Sequence, residues 1–519
     1  MSTAALPAAR PGGRHAAPAR RPRRDLAVVG VVPALTALLL GAWATGRPSY
    51  WTDELVTVDV ARRSVAQIWQ LLGNVDAVHG LYYLLMHPLV GLAGTAPGVV
   101  RLPSVLATAV AAGALGCLGR YLAGNAAGLL AGTAYALTPV ASQYALEARS
   151  YALVAATAVL ATFALAAALR TGRAVWFAAY GVLLALTGAL HLFAVLLVTA
   201  HAVTVLLSVL LRHLSLRQAL AWLAAVTAAL LALAPLALVA AGERGAVEWI
   251  RPPDAGHLWA SVVGVTGSVA ATLLTAVLCA AGVVAHRLRS LVLVAVPWAV
   301  VPPLALLALS RAEPLFVARY VLFCVPAVAL LVAAGLTARP RALTAMAGAA
   351  LLLATLAAQP ALRRPDSKWH DFTPVVAALC ERAEPGDRYL VAPANARLLA
   401  AAYPRVFTGL VDVAQQVPGA RGGTLAGTET GRRELARRLR SADRVWLIRR
   451  LNGNARVRDA TRRRIALLAE AGLTREAGRW KGERTRLTLY VRGPSLSGVL
   501  PASSRPDVTK AGGGASLPV

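Results

Sequence analysis

Apolar runs close to 20 residues long recur from Leu26 to Pro360, and no other feature restricts the fold so tightly. As a helix, each can cross roughly 30 Å of hydrocarbon. In that medium the backbone must satisfy its own hydrogen bonds, so only helices and closed barrels can span it. The runs place about eleven transmembrane helices, near 26–45, 101–120, 123–141, 149–169, 174–190, 192–211, 218–241, 259–284, 290–309, 317–337 and 343–360. The chain is therefore read as a polytopic α-helical membrane protein. Composition agrees: 15% of residues are charged, against roughly 25% in a soluble domain.

Basic residues orient these spans. The run Arg20–Arg24 precedes the first helix, and arginines recur at Arg120, Arg170–Arg173, Arg212–Arg217, Arg289 and Arg339–Arg341. Short loops rich in arginine stay in the cytoplasm. They all fall on that side if the short apolar segment His79–Pro88 is interfacial. The odd span count then puts Asp53 and the C-terminal region together on the outer face. Residues 1–25 read as a disordered basic cytoplasmic tail, 26–360 as the transmembrane domain, 361–493 as a small extracytoplasmic α/β domain and 494–519 as a disordered tail. Within the α/β domain, buried strands are expected at 388–392 and 444–448, a helix at 459–471 and a closing strand at 487–491.

The net charge of +29 is explained by topology and by a basic C-terminal region that suits anionic membrane lipids. No RNA-binding motif accompanies it, so nucleic acid is not expected as a partner. Cys117, Cys279 and Cys324 fall in apolar runs and Cys380 stands alone, so neither a disulfide framework nor a cysteine metal site is expected. No Walker or GxGxxG sequence points to a nucleotide, and no cofactor is expected.

Chemistry-bearing residues gather in the loops assigned to the outer face. Asp53 and Glu54 follow the first helix, where carboxylates are costly unless solvated or used. Asp76 and His79 come next, then Glu147, Arg149 and Tyr151, then His191, then Glu243, Arg244, Glu248 and Trp249, and last Glu313, Arg319 and Tyr320. This mixture suits sugar transfer from a lipid phosphate. A carboxylate takes the proton of an attacking hydroxyl, arginines stabilise the departing phosphate, and aromatic rings pack on sugar and prenyl faces. Structural roles stand beside these. Asp53 can be a helix-end acid, Glu147 and Arg149 a local ion pair, Arg101 a headgroup anchor and His191 a satisfied interface histidine. A transporter of lipid-linked sugars is the competing function, but it calls for ionisable groups at mid-membrane and for repeats, neither of which is visible.

The Asp53-Glu54 pair, the His79-x-x-Tyr82-Tyr83 element, Arg101-Leu-Pro-Ser104 and Glu147-x-Arg149-x-Tyr151, in that order, resemble the GT-C membrane glycosyltransferases. The likeness is to the protein O-mannosyltransferase and aminoarabinose transferase type, including actinobacterial mannosyltransferases, and covers about residues 26–360. It implies an inverting transfer from a polyprenyl-phosphate-linked sugar, with mannose the expected sugar, to a hydroxyl on a glycan, lipid or protein acceptor. It further implies Asp53 as catalytic base, Glu54 as a helper placing acceptor or donor, and Glu147 as a second acid in the site. Arg101, Arg149 and Arg319 become candidates for the donor phosphate, with His79, Tyr82, Tyr83, Tyr151 and Tyr320 binding substrate. The chain departs from the family pattern at His79-Gly80-Leu81, where His-Pro-Pro is frequent.

Overall fold

The computed structural model describes residues 22–493 except 244, 246–247, 286–288, 339, 369 and 452–454. Both tails assigned from sequence therefore lie almost wholly outside the described residues. The membrane region runs α1 (Pro22–Ala42), α2 (Thr52–Ala61), α3 (Val65–Leu72), α4 (Gly80–Ala93), α5 (Pro97–Ala123), α6 (Asn125–Leu137), α7 (Pro139–Ala145) and α8 (Tyr151–Thr171). It continues through α9 (Ala174–Leu190), α10 (Leu197–Leu210), α11 (Leu216–Gly242), α12 (Ala255–Thr266), α13 (Val269–Ala285), α14 (Ser290–Leu309), α15 (Val325–Thr337) and α16 (Arg341–Ala358).

The molecule is a multi-pass helical membrane protein. Seven helices among the described residues are long and apolar enough to cross, and an eighth arises if α12 and α13, bent by 82°, form one broken span. The segments expected to span at 123–141 and 174–190 are helices of 13 and 17 residues, about 20 and 25 Å at 1.5 Å per residue. The break in the eighth falls at Gly267, in left-handed conformation at φ +84°. The hydroxyls of Thr266 and Thr272 bond to each other across it at 2.6 Å. Such side chains re-satisfy backbone groups freed where a span breaks. α4 is a helix of only 14 residues, too short to cross the hydrocarbon.

Small residues let these helices approach closely, the usual device where lipid removes the hydrophobic drive for association. A methyl group at Gly116 of α5 would sit 2.2 Å from the Val29 carbonyl of α1, and one at Gly335 of α15 would sit 2.0 Å from the Leu278 carbonyl of α13.

The C-terminal region is a five-stranded mixed sheet flanked by helices. Its strands are β1 (Arg388–Ala392), β2 (Val411–Asp412), β5 (Arg444–Arg450), β6 (Arg475–Gly482) and β7 (Thr485–Val491), ordered β2-β1-β5-β7-β6. A separate hairpin joins β3 (Gln415–Val417) to β4 (Thr428–Glu429). The expected strands at 388–392 and 444–448 are present, as are the helix, at Ala455–Glu470, and the closing strand. Edge strand β6 was not anticipated, because it exposes residues on both faces. The sheet is tied to the membrane part by a shared apolar core, in which Leu55 and Val58 of α2 and Met86 of α4 join Phe372, Val375, Trp446 and Leu487.

Candidate active site

The loop Ala44–Trp51 leads from α1 into α2, whose first turn carries Asp53 and Glu54. Carboxylates there face the positive end of the helix dipole. The two neighbours then part company. Asp53 lines a cavity of about 550 Å³, whereas Glu54 points away from it and is wholly buried.

Glu54 is the centre of an ionic cluster. Arg101 donates from Nε to Oε1 at 2.8 Å and from Nη2 to Oε2 at 3.0 Å; Lys368 Nζ reaches Oε2 at 2.6 Å, and the Ala148 amide donates to Oε1 at 2.8 Å. Burial alone would raise the Glu54 carboxyl, but the charges and hydrogen bonds of Arg101 and Lys368 outweigh it and hold the pKa at about 2. Arg101 also donates to the carbonyls of Thr45, Pro48 and Ser49. Every nitrogen of its guanidinium is thus engaged with the protein, and it is fully buried. The donor-phosphate role implied for Arg101 is corrected: it holds the loop that presents Asp53. The substrate-placing role implied for Glu54 is corrected likewise, to that of positioning its neighbour.

Lys368, in the linker to the sheet, had not been singled out from sequence. Besides Glu54 it donates to the Leu146 carbonyl at 2.6 Å, and burial pushes its ammonium down to about 8. Its one sequence signal is rarity, since the chain has only three lysines, Lys368, Lys481 and Lys510, among 53 basic residues.

The loop Leu146–Ser150 is pinned from behind by Ser104, whose hydroxyl donates to the Glu147 carbonyl at 2.6 Å. This presents Arg149 to the cavity while Glu147 stays buried off its wall, with Oε2 taking no hydrogen bond from a described residue. Burial pushes the Glu147 carboxyl up to about 7. Tyr82 and Tyr83 are also buried and absent from the cavity wall, which corrects their expected lining role. Tyr83 instead donates to Asp76, a cavity residue.

His79, Arg149, Tyr151, Arg319 and Tyr320 do line the cavity with Asp53. Arg149 donates from Nη2 to His79 Nε2 at 2.7 Å. An accepting Nε2 puts the ring proton on Nδ1, a buried atom without a partner among the described residues. Arg319 donates to the Tyr151 hydroxyl at 3.0 Å and lies 5.2–5.7 Å from the ring centres of Trp51, Trp249 and Tyr320. Those rings fix the guanidinium in position by cation–π contact. His191 also lines the cavity, together with Phe193, whose ring stacks on Tyr320 at 5.1 Å. Glu243, from the end of α11, accepts the amides of Asp76 (3.0 Å) and Ala77 (3.1 Å), bracing the turn before α4. Leu425 of the C-terminal region closes one side of the wall. Arg63 of the membrane part holds that loop through the Thr424 and Leu425 carbonyls. The Asp53 carboxylate itself takes no hydrogen bond or ion pair from any described residue. Among the described residues no cluster of His, Cys, Asp and Glu has metal-site geometry.

A carboxylate open to solvent, two arginines, and aromatic rings thus share one chamber, while a second carboxylate is locked behind it. A family model described as dolichyl-phosphate-mannose-protein mannosyltransferase matches residues 80–238. ArnT from Cupriavidus metallidurans in the apo state is similar with a TM-score of 0.62 at 12% identity, over 89% of this chain and 98% of that one. The same enzyme bound to undecaprenyl phosphate gives 0.59 at 12%, over 89% and 99%. None of the curated proteins matches the chain. The chain thus has the GT-C glycosyltransferase fold, of the ArnT-like type that its motifs resembled.

Proposed function

We propose that this protein transfers a sugar from a polyprenyl-phosphate donor to an acceptor hydroxyl, with inversion and with Asp53 as general base. The observation that carries this reading is the unpaired Asp53 carboxylate on the wall of a chamber that also holds Arg149 and Arg319. ArnT, which shares the fold, has been seen with undecaprenyl phosphate bound, which supports a donor of that class.

In this scheme the acceptor oxygen attacks the anomeric carbon from the Asp53 side. As the new C–O bond forms, the acceptor proton passes to the carboxylate. The bond from the anomeric carbon to the phosphate oxygen breaks, and the electron pair stays on the phosphate. Arg319 and Arg149 then meet the charge that develops there, a preorganised arrangement that favours the transition state over the ground state. Tyr320, Phe193 and Trp249 offer faces to the sugar and to the first prenyl units. Mannose is the expected sugar, on the strength of the matching family model. The positive-inside pattern of the arginine loops supports a chamber and C-terminal sheet on the outer face of the membrane, where a lipid-linked donor needs no nucleotide.

The test is a transfer assay with purified protein and a panel of polyprenyl-phosphate sugars, reading products by mass. A mannosylated acceptor with release of polyprenyl phosphate is the expected result. Turnover only with nucleotide sugars would overturn the reading.

A further inference from the structure

A second large cavity, of about 700 Å³, opens at the other end of the helices. It lies where α5, α8 and α10 end and α14 begins, so it is separate from the chamber of Asp53. Leu169, Leu293 and Val294 form apolar walls, and Arg170 and His213 stand among the lining residues. Arg170 lies 4.8 Å from the Tyr121 ring centre, and a long 3.4 Å contact to the Tyr121 carbonyl is its one hydrogen bond among the described residues. Most of its donors are therefore free for a ligand.

The turn that carries His213 is held at a cost. α10 ends in a Schellman arrangement, with the His213 amide donating to the Ser208 carbonyl at 2.8 Å and that of Arg212 to Val209 at 2.9 Å. The left-handed position of such a turn is normally glycine, but here it is Arg212, at φ +58°. A non-glycine residue there is strained, and such strain gathers at functional sites.

Charge at this end is one-sided. Between Asp76 and Asp366 the chain has five carboxylates, Glu147, Glu243, Glu248, Asp254 and Glu313, all in loops on the side of the active-site chamber. The opposite helix ends carry Arg120, Arg170, Arg173, Arg212, Arg217 and Arg289 with no acid in that stretch of sequence. Apolar walls beneath a guanidinium and an imidazole, in an uncompensated positive field, fit an amphiphile with an anionic head.

We propose that this cavity is a binding site for an anionic phospholipid, its phosphate on Arg170 and His213 and its upper acyl chain along Leu169, Leu293 and Val294. Guanidinium groups suit phosphate because they can bond two oxygens at once. Basic pockets between membrane helices on the arginine-rich side recognise such headgroups. A bound lipid would clamp α8, α10 and α14 together at the end remote from the chemistry.

Native mass spectrometry of the purified full chain, titrated with phosphatidylglycerol or phosphatidylcholine, tests this. Wild type should retain one phosphatidylglycerol in preference to phosphatidylcholine. Arg170→Ala should weaken that binding about fivefold, as expected for loss of one basic residue near a headgroup, and Arg170→Ala with His213→Ala should abolish the preference. Arg170→Lys, which keeps the charge, should retain most of it and guards against a folding artefact. Arg341→Ala, which removes an equal charge outside the cavity, should bind as wild type does. Equal loss in Arg341→Ala would assign the preference to bulk surface charge and overturn the site. So would unchanged binding in the double variant, or displacement of phosphatidylglycerol by one equivalent of polyprenyl phosphate.

Discussion

Replacing Glu54 by glutamine and Lys368 by methionine should have very unequal consequences, and the inequality can be worked from the cluster's charges. Among the described residues, Glu54 is the one carboxylate bonded to two buried cations, Arg101 and Lys368. Glu54→Gln strands both, and removing one partner of a buried ion pair costs about 3–5 kcal/mol. Lys368→Met leaves a neutral pair, since Arg101 still donates twice to Glu54 and the Ala148 amide remains in place. That variant loses one charge-assisted hydrogen bond and leaves the Leu146 carbonyl without this donor, at about 1–3 kcal/mol. Unfolding in mixed micelles at neutral pH, followed by tryptophan fluorescence, should therefore rank Glu54→Gln below Lys368→Met by on the order of 2 kcal/mol. The pH dependence has a definite sign. A carboxylate whose pKa is depressed from 4.5 to about 2 adds stability that is present above its unfolded pKa and lost as pH falls through its folded one. The gap between wild type and Glu54→Gln should then narrow below about pH 4.5. A Lys368→Met variant as unstable as Glu54→Gln would refute the charge accounting.

Glu147 should behave in the opposite sense. With its pKa raised from 4.5 to about 7, the folded state holds its proton more tightly, so stability is full below about 4.5 and declines as pH rises through 7. Glu147→Gln should flatten that decline and gain on the order of 3 kcal/mol over wild type at high pH; a wild-type profile already flat across this window would contradict it. Arg319→Gln should lower kcat for transfer by roughly a hundredfold. Arg319→Lys should recover little, because the surrounding rings favour a planar guanidinium, and full activity in the lysine variant would remove Arg319 from the phosphate site. For orientation, exposed Cys380 and, in a Cys380→Ser background, exposed Arg47→Cys should both react with impermeant maleimide from outside the cell. Labelling from opposite sides would break the assignment of the chamber to the outer face.

Much of the helical layout was legible, because long apolar runs leave a chain few options. The helix ends were less so, since a run of 17 residues reads much like one of 20 until its caps are seen. The break at Gly267 is one glycine and one serine in an apolar stretch, a signal too small to separate from ordinary variation. Within the site, order along the chain identified the loops but not which side chains face inward. Adjacent helical residues point about 100° apart, so Asp53 and Glu54 meet opposite surroundings from one turn. Arg101 reads as a free cation at a helix start; only the approach of Glu54 and three carbonyls in space occupies it. Lys368 meets Glu54 across 314 residues, a contact no local pattern can announce. Tyr82 and Tyr83 follow the cavity residue His79 closely, yet α4 turns their rings inward, and their sequence position carries no sign of that.

The most direct measurement is single-turnover transfer by Asp53→Asn against wild type, with the unfolding midpoint recorded for both. Because the Asp53 carboxylate bonds to no described residue, the variant should keep wild-type stability. Loss of a general base should nevertheless slow transfer by about 10²–10⁴-fold. An Asp53→Asn protein that turns over at the wild-type rate would show that the open carboxylate is not the base, and the proposed mechanism would fall with it.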